Sequence, residues 1–259
     1  MIKISFDNSA LDSEKIKDYE KYGFRRFCED NKLQLVLSPI LLEECMGLKI
    51  ANNIVLTLQI LFFLGCGKKN IIKGLDYFLS GTKDKDIENN GIFEPLEKYH
   101  DIINLVLSPA EEEVHEAKTS RQKEQEEAGI YYVDIATNKM IITNIDDCRN
   151  YIEYRNRDFK NFRDHRAMID GVKSSSTPFY DRFIEGCYYH FWAHVAKKEF
   201  PKKDKNYKRD LGYVPYLLFV DIFVTNDRFQ KEMLENIYPE KRIMFPGEFI
   251  QELQMLNSK

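Results

Sequence analysis

The chain opens on Ile-Lys-Ile-Ser-Phe, residues 2–6, where apolar and polar positions alternate among β-branched and aromatic residues and so predict a strand. Apolar residues at Ile16, Tyr19, Tyr22, Phe24 and Phe27, with charges between them, predict one helix over residues 12–31. Gln34–Leu37 predicts a second strand. Ser38-Pro39, a cap followed by proline in the first turn, starts a helix over residues 40–49. This β-α-β-α order is the opening of a parallel sheet. Residues 51–99 read as helices with turns at Gly65-Cys66-Gly67 and between Gly81 and Gly91, and Ile102–Leu107 reads as a further strand. The same rhythm returns near the end of the chain. Leu211–Val220 predicts a helix, Ile222–Thr225 a strand, Arg228–Asn236 a helix, Arg242–Phe245 a strand and Glu248–Leu256 a closing helix.

The middle departs from this rhythm. A charged run from Ala110 to Glu127 predicts a solvated helix, and two β-rich runs between Gly129 and Ile145 flank Ala136-Thr137-Asn138-Lys139 as a hairpin. Residues 146–200 mix polar and aromatic positions, broken by a Ser/Thr loop from Gly171 to Pro178, and predict two or three helices. The fold expected is therefore α/β, a three-layer sandwich with a mainly parallel central sheet of four to five strands. Residues 1–128 and 201–259 form it, and 129–200 are an inserted hairpin and helices.

Composition narrows the class without naming an activity. At 259 residues, 43% apolar and 31% charged, the chain can bury a full core and reads as a soluble globular protein. Five widely spaced cysteines with no Cys-x-x-Cys pair suggest free thiols in a reducing cytosol, so a cytoplasmic protein is expected. The apolar stretch Ile54–Gly65 falls short of the ~20 residues that span a bilayer and predicts a buried helix. A net charge of −4 excludes little, since a local basic strip binds phosphates on an acidic protein. No Gly-x-x-x-x-Gly-Lys-Ser/Thr loop and no Gly-x-Gly-x-x-Gly turn is present, which disfavours nucleotide-fuelled and dinucleotide redox chemistry. His190 and His194 are spaced to share a helix face, but a third ligand and a protease-type Glu are absent from the motif, and zinc is not expected.

Acidic residues at element boundaries carry the chemistry. Asp7 follows the first strand, Glu43 and Glu44 lie in the Ser38-Pro39 helix, Asp210 stands at a helix start, and Asp227 follows the strand ending at Thr225. Strand ends of this kind are where open α/β sheets hold ligands, and grouped carboxylates suit a hard divalent cation that offsets their mutual repulsion. The set resembles the PIN-domain nuclease family in Phe6-Asp7-Asn8-Ser9, Ser38-Pro39-Ile40-Leu41-Leu42-Glu43-Glu44, Arg209-Asp210-Leu211 and Val224-Thr225-Asn226-Asp227. Phe245-Pro246-Gly247-Glu248-Phe249 resembles the strand-to-helix turn that ends such domains. The resemblance covers roughly residues 1–110 and 208–256 and leaves the middle unexplained.

What it implies is a Mg²⁺- or Mn²⁺-dependent endoribonuclease in which Asp7, Glu44, Asp210 and Asp227 hold the metal and an activated water attacks the phosphodiester. The products would carry a 5′-phosphate and a 3′-hydroxyl. Glu43 and Glu44 point about 100° apart on a helix, so one of them faces the site, and the distance from Ser38 favours Glu44. Pro215 is expected to move the start of its helix toward Gly212 and leave Asp210 ahead of the first turn. Asn8, Glu43, Asp221, Thr225 and Asn226 are expected around the ligands, with Asp221 also readable as a strand start.

Lys202, Lys203, Lys205, Lys208 and Arg209 form the densest basic run, directly before Asp210, and are expected to meet the phosphates of a single-stranded RNA. Small bacterial family members are often toxins restrained by an antitoxin protein, so a toxin role, an antitoxin partner and a homodimer are also implied. The alternatives are an inactive PIN-like RNA-binding or scaffold protein, and a DNA nuclease of defence or repair.

Overall fold

A computed structural model describes residues 1–50, 54–67, 69–72, 93–94, 178–179, 182–183, 185–186, 189 and 207–258. The chain divides into two compact units, one of Met1–Gly74, Asp86–Ala110 and Tyr216–Lys259, the other of Leu75–Lys85 and Glu111–Pro215.

The first unit is an α/β sandwich around one sheet. Its strands are β1 (Ile2–Phe6), β2 (Leu33–Leu37), β3 (Lys69–Ile72), β4 (Phe93–Glu94), β5 (Ile222–Val224) and β6 (Arg242–Met244). They lie in the order β4-β3-β2-β1-β5-β6. Five are parallel, and the two-residue β4 joins β3 antiparallel at the edge. Between them run α1 (Ser13–Lys21), α2 (Phe24–Glu29), α3 (Pro39–Ile50), α4 (Ile54–Leu64), α6 (Arg228–Ile237) and α7 (Pro246–Asn257), while α5 (Tyr207–Tyr216) falls almost wholly in the second unit.

The chain winds from β1 through β2 to β3 in one direction and from β5 to β6 in the other. Right-handed crossovers put the helices of two such halves on opposite faces. β1 and β5 therefore flank the point where the winding reverses, the position at which open parallel sheets hold ligands beyond the strands' carboxyl ends. On one face Phe6 is packed by Tyr19, Phe24, Phe63 and Phe249, with ring centroids 5.6–5.7 Å from its own. These come from α1, α2, α4 and α7, so a single β1 residue anchors that layer. β2, buried at all five positions, lacks the alternation of a half-exposed strand because both its faces are covered.

Several expectations change on contact with the structure. The single helix over 12–31 is two, because Gly23 adopts φ 86° and turns the chain between α1 and α2. β3 and β4 fall inside the stretch read as helical. The apolar helix α4 is buried on one side only: Ile60, Leu61, Phe63 and Leu64 face inward, while Val55 and Phe62 are 70% and 71% exposed. It lies on an outer layer, where one face meets the sheet's helices and the other meets solvent. Among the described residues no helix is long and apolar enough to cross a membrane. The strand expected at 102–107, the charged helix at 110–127, the hairpin at 129–145, and His190 and His194 lie outside the described residues.

Candidate active site

β1 ends at Phe6, and the next residue, Asp7, is tied to the end of β5 by its N–H, which donates to the Val224 carbonyl at 2.9 Å. The neighbouring strand leads into Thr225-Asn226-Asp227, so the parallel pairing of Phe6 with Val224 fixes Asp7 beside that turn. Asp7 is 6% exposed. A buried carboxylate needs partners, and here they are hydroxyls and an N–H. Ser9 Oγ donates to Asp7 Oδ2, Thr225 Oγ1 stands 2.9 Å from the same oxygen, and the Ser9 N–H adds a bond. Among the described residues no Lys, Arg or His pairs with it.

The turn is stitched from both sides. The Asn226 N–H donates to Ser9 Oγ at 2.9 Å, and the Asp227 N–H donates to Thr225 Oγ1 at 3.0 Å. Asp227 then caps α6, its Oδ1 accepting the Gln230 N–H at 2.8 Å. Gln230 is wholly buried, and its Oε1 lies 2.7 Å from Thr225 Oγ1. Burial pushes the Asp7 carboxyl above its ordinary range, and the charge of Asp227 adds to the rise; the bonds from Ser9 and Thr225 act the other way without cancelling it.

Asp7 and Asp227 are thus the two expected acids that the sheet brings together. Glu44 is half-buried on α3, which Ser38 caps by accepting the Leu41 N–H at 3.2 Å and which packs on the turn Asn8–Ala10. Its charge, after burial itself, helps push the Cys45 thiol up to about 12. Glu43 shares that helix. Asp210 lies within the first turn of α5, not ahead of it. Pro215 is the ninth of ten helical residues, so its missing N–H removes a bond only near the helix end, and a 3₁₀ turn, Leu217–Phe219, follows. Lys208 and Arg209 open the same helix, while Lys202, Lys203 and Lys205 lie outside the described residues. Asp221 stands at the opposite end of β5 from Asp227, where it accepts the Lys3 N–H at 2.8 Å; it is a strand-start residue and takes no part in the cluster.

Among the described residues no three His, Cys, Asp or Glu side chains gather closely enough to hold a cation. Two carboxylates with hard oxygen neighbours still suit Mg²⁺ or Mn²⁺, since such ions take one or two carboxylates and complete their octahedron with water and substrate oxygens. The residue after Asp7, Asn8, has a buried Oδ1 without a hydrogen-bond partner. The chemistry of Asp7 and Asp227 therefore fits the cation that the sequence leads one to expect, with two carboxylates brought together among the described residues.

Ser9 and Gln230 are the members that the sequence pattern did not single out. Ser9, two residues beyond Asp7, carries the spacing of a side chain that closes a turn on a preceding acid. Asp227-Arg228-Phe229-Gln230 matches the spacing of a capping box, in which the Gln side chain would return to the Asp227 N–H. Thr225 takes that N–H instead and leaves Gln230 directed at the hydroxyl. Compared with known protein families, curated proteins and solved structures, the chain matches none.

Proposed function

We propose that the protein is a metal-dependent nuclease of PIN type that hydrolyses phosphodiester bonds of single-stranded RNA. The observation carrying this reading is the pairing of Asp7 and Asp227 at neighbouring carboxyl ends where the winding reverses, with Asp7 buried and lacking a cationic partner among the described residues. Structural carboxylates are rarely buried this way without a cation. Asp7 and Asp227 would hold Mg²⁺ or Mn²⁺. When bound, such an ion offsets charge growing on the phosphodiester and lowers the pKa of water in the site. The chain's own contribution is placement: Ser9 and Thr225 fix the Asp7 carboxylate, and Asp227 is held by its bond to the first turn of α6.

The test is cleavage of labelled single-stranded RNA, single-stranded DNA and flap duplexes by protein stripped with EDTA and reloaded with Mn²⁺. RNA cleavage is expected to require the metal and to fall roughly 100-fold or more in Asp7→Asn and Asp227→Asn, reflecting the several kcal/mol that a bound cation contributes. Full metal-dependent cleavage by a folded Asp7→Asn protein would sink the assignment. Preference for DNA would move the protein to a defence or repair nuclease.

A second reading has its own support, the lack of a three-acid group among the described residues. It is a PIN-like domain that binds RNA without cutting it. A thermal melt separates the two, because a cation that binds only the folded state raises the melting temperature. No shift with millimolar Mn²⁺, together with RNA binding, would favour the scaffold.

A further inference from the structure

Helix α6 turns a buried stripe of Gln230, Met233, Leu234 and Ile237 inward, the spacing of an amphipathic helix. Three of these are apolar, and the first is a carboxamide with no exposure. A polar group at such a position costs stability unless it is fully bonded. Gln230 Nε2 has no partner, while Oε1 lies 2.7 Å from Thr225 Oγ1. That hydroxyl also lies 2.9 Å from Asp7 Oδ2 and accepts the Asp227 N–H at 3.0 Å.

A threonine hydroxyl has one proton. With Gln230 offering its oxygen, two acceptors contend for that proton and the amide's own N–H donors are stranded. The two ends of a carboxamide have the same shape, so the hydrogen-bond network decides between them. Turned over, Nε2 donates to Thr225 Oγ1, and the Thr225 proton is committed to Asp7. One N–H and a carbonyl then lack partners where both N–H groups did before, and proteins tolerate an unpaired carbonyl more readily than an orphaned N–H.

We infer that Gln230 is a positioning residue whose amide N–H fixes the Thr225 hydroxyl as a donor to Asp7 and thereby holds the Asp7 carboxylate in register for a divalent cation. The inference rests on the cation reading of the site given above. Ser9 and Thr225 both meet Oδ2, which leaves Oδ1 as the oxygen without a hydroxyl donor among the described residues. Locking one oxygen in this way presents the other in a single direction. Groups that orient a metal-binding carboxylate commonly change metal affinity 10–100-fold when removed.

The test is Mn²⁺ affinity, by calorimetry and by melting temperature against metal concentration, in four proteins: the natural chain, Gln230→Met, Thr225→Val and the double variant. Gln230→Met is expected to bind Mn²⁺ about 10–100-fold more weakly. Without metal it should melt at or above the natural chain's temperature, because an apolar group replaces an incompletely bonded amide. The double variant should bind no more weakly than Thr225→Val, since Gln230 acts through that hydroxyl. Unchanged Mn²⁺ affinity in Gln230→Met, or losses that multiply in the double variant, would overturn the inference while leaving the cation site standing. A natural chain that shows no Mn²⁺ binding removes the site and the inference together. If Gln230→Met gives no cooperative melt, Gln230→Leu carries the same comparison, and failure of both to fold assigns Gln230 to packing and overturns the role.

Discussion

Phe6 and Asp7 are consecutive, both buried, and asked to do opposite things. Around Phe6 four aromatic rings close an apolar contact that no solvent reaches, and every partner gains from burial. One residue further along, the Asp7 carboxylate is removed from water and met by hydroxyls and an N–H in place of a cation, so burial opposes its charge. The first region is where β1 contributes to stability. The second is where the fold gives up some stability, which is how binding sites commonly differ from cores.

Five predictions break or sharpen this contrast. The largest effect belongs to Phe6→Ala, which should cost about 3–5 kcal/mol and lower the melting temperature by roughly 10 °C, measured by calorimetry. A small loss would mean that the aromatic layer does not depend on β1. Next comes Gly67→Ala, since a Cβ there would sit 2.5 Å from Cys28 Cβ at φ +57°; the cost should be about 1–3 kcal/mol in denaturant midpoint. Asp7→Asn should move the other way and stabilise the metal-free protein by about 1 kcal/mol, visible as a rise in melting temperature. A destabilised Asp7→Asn would show that its hydroxyl partners outweigh the burial of its charge.

The same charge sets a pH dependence. The folded carboxyl of Asp7 titrates above its unfolded value of 3.8, so between the two the folded chain keeps a proton that the unfolded chain has released. Its contribution to stability therefore falls as pH rises from about 3.8 through the folded value, and Asp7→Asn should flatten that part of the stability profile. The smallest effect expected is at α7. Glu248 accepts the Phe245 N–H at 2.6 Å, and that bond holds its carboxyl below the ordinary 4.5, aided by Lys231. Its stabilisation is present above 4.5 and lost as pH falls through the lowered value. Glu248→Gln should remove the acid-side loss at a cost of about 0.5 kcal/mol near neutrality, read from denaturant melts.

Much of the sheet was legible because its signals are local. Phe6-Asp7 and Thr225-Asn226-Asp227 announce strand ends through β-branched and aromatic runs that stop at an acid, and Ser38-Pro39 announces a helix. β3 was hidden because Lys69-Asn70-Ile71-Ile72 is too short to show a period between a Gly-Cys-Gly turn and the residues after it. The Gly23 break was hidden because the apolar spacing runs through it, while the left-handed backbone that splits the helix is visible only in three dimensions. Asp7 and Asp227 could be paired from sequence since strand ends share an edge by construction. Glu44 could not, because one residue's rotation on a helix decides where an acid points. Gln230 left a clue of a different sort, a polar residue on a stripe otherwise filled by Met233, Leu234 and Ile237.

Thr225 meets Asp7 across 218 positions of chain, through a strand pair that β5 completes. A ribosome-bound chain that has not yet released β5 holds only half of the pocket, however well its first strands have formed. If the protein cuts RNA, it does so only once β5 has left the ribosome and paired with β1.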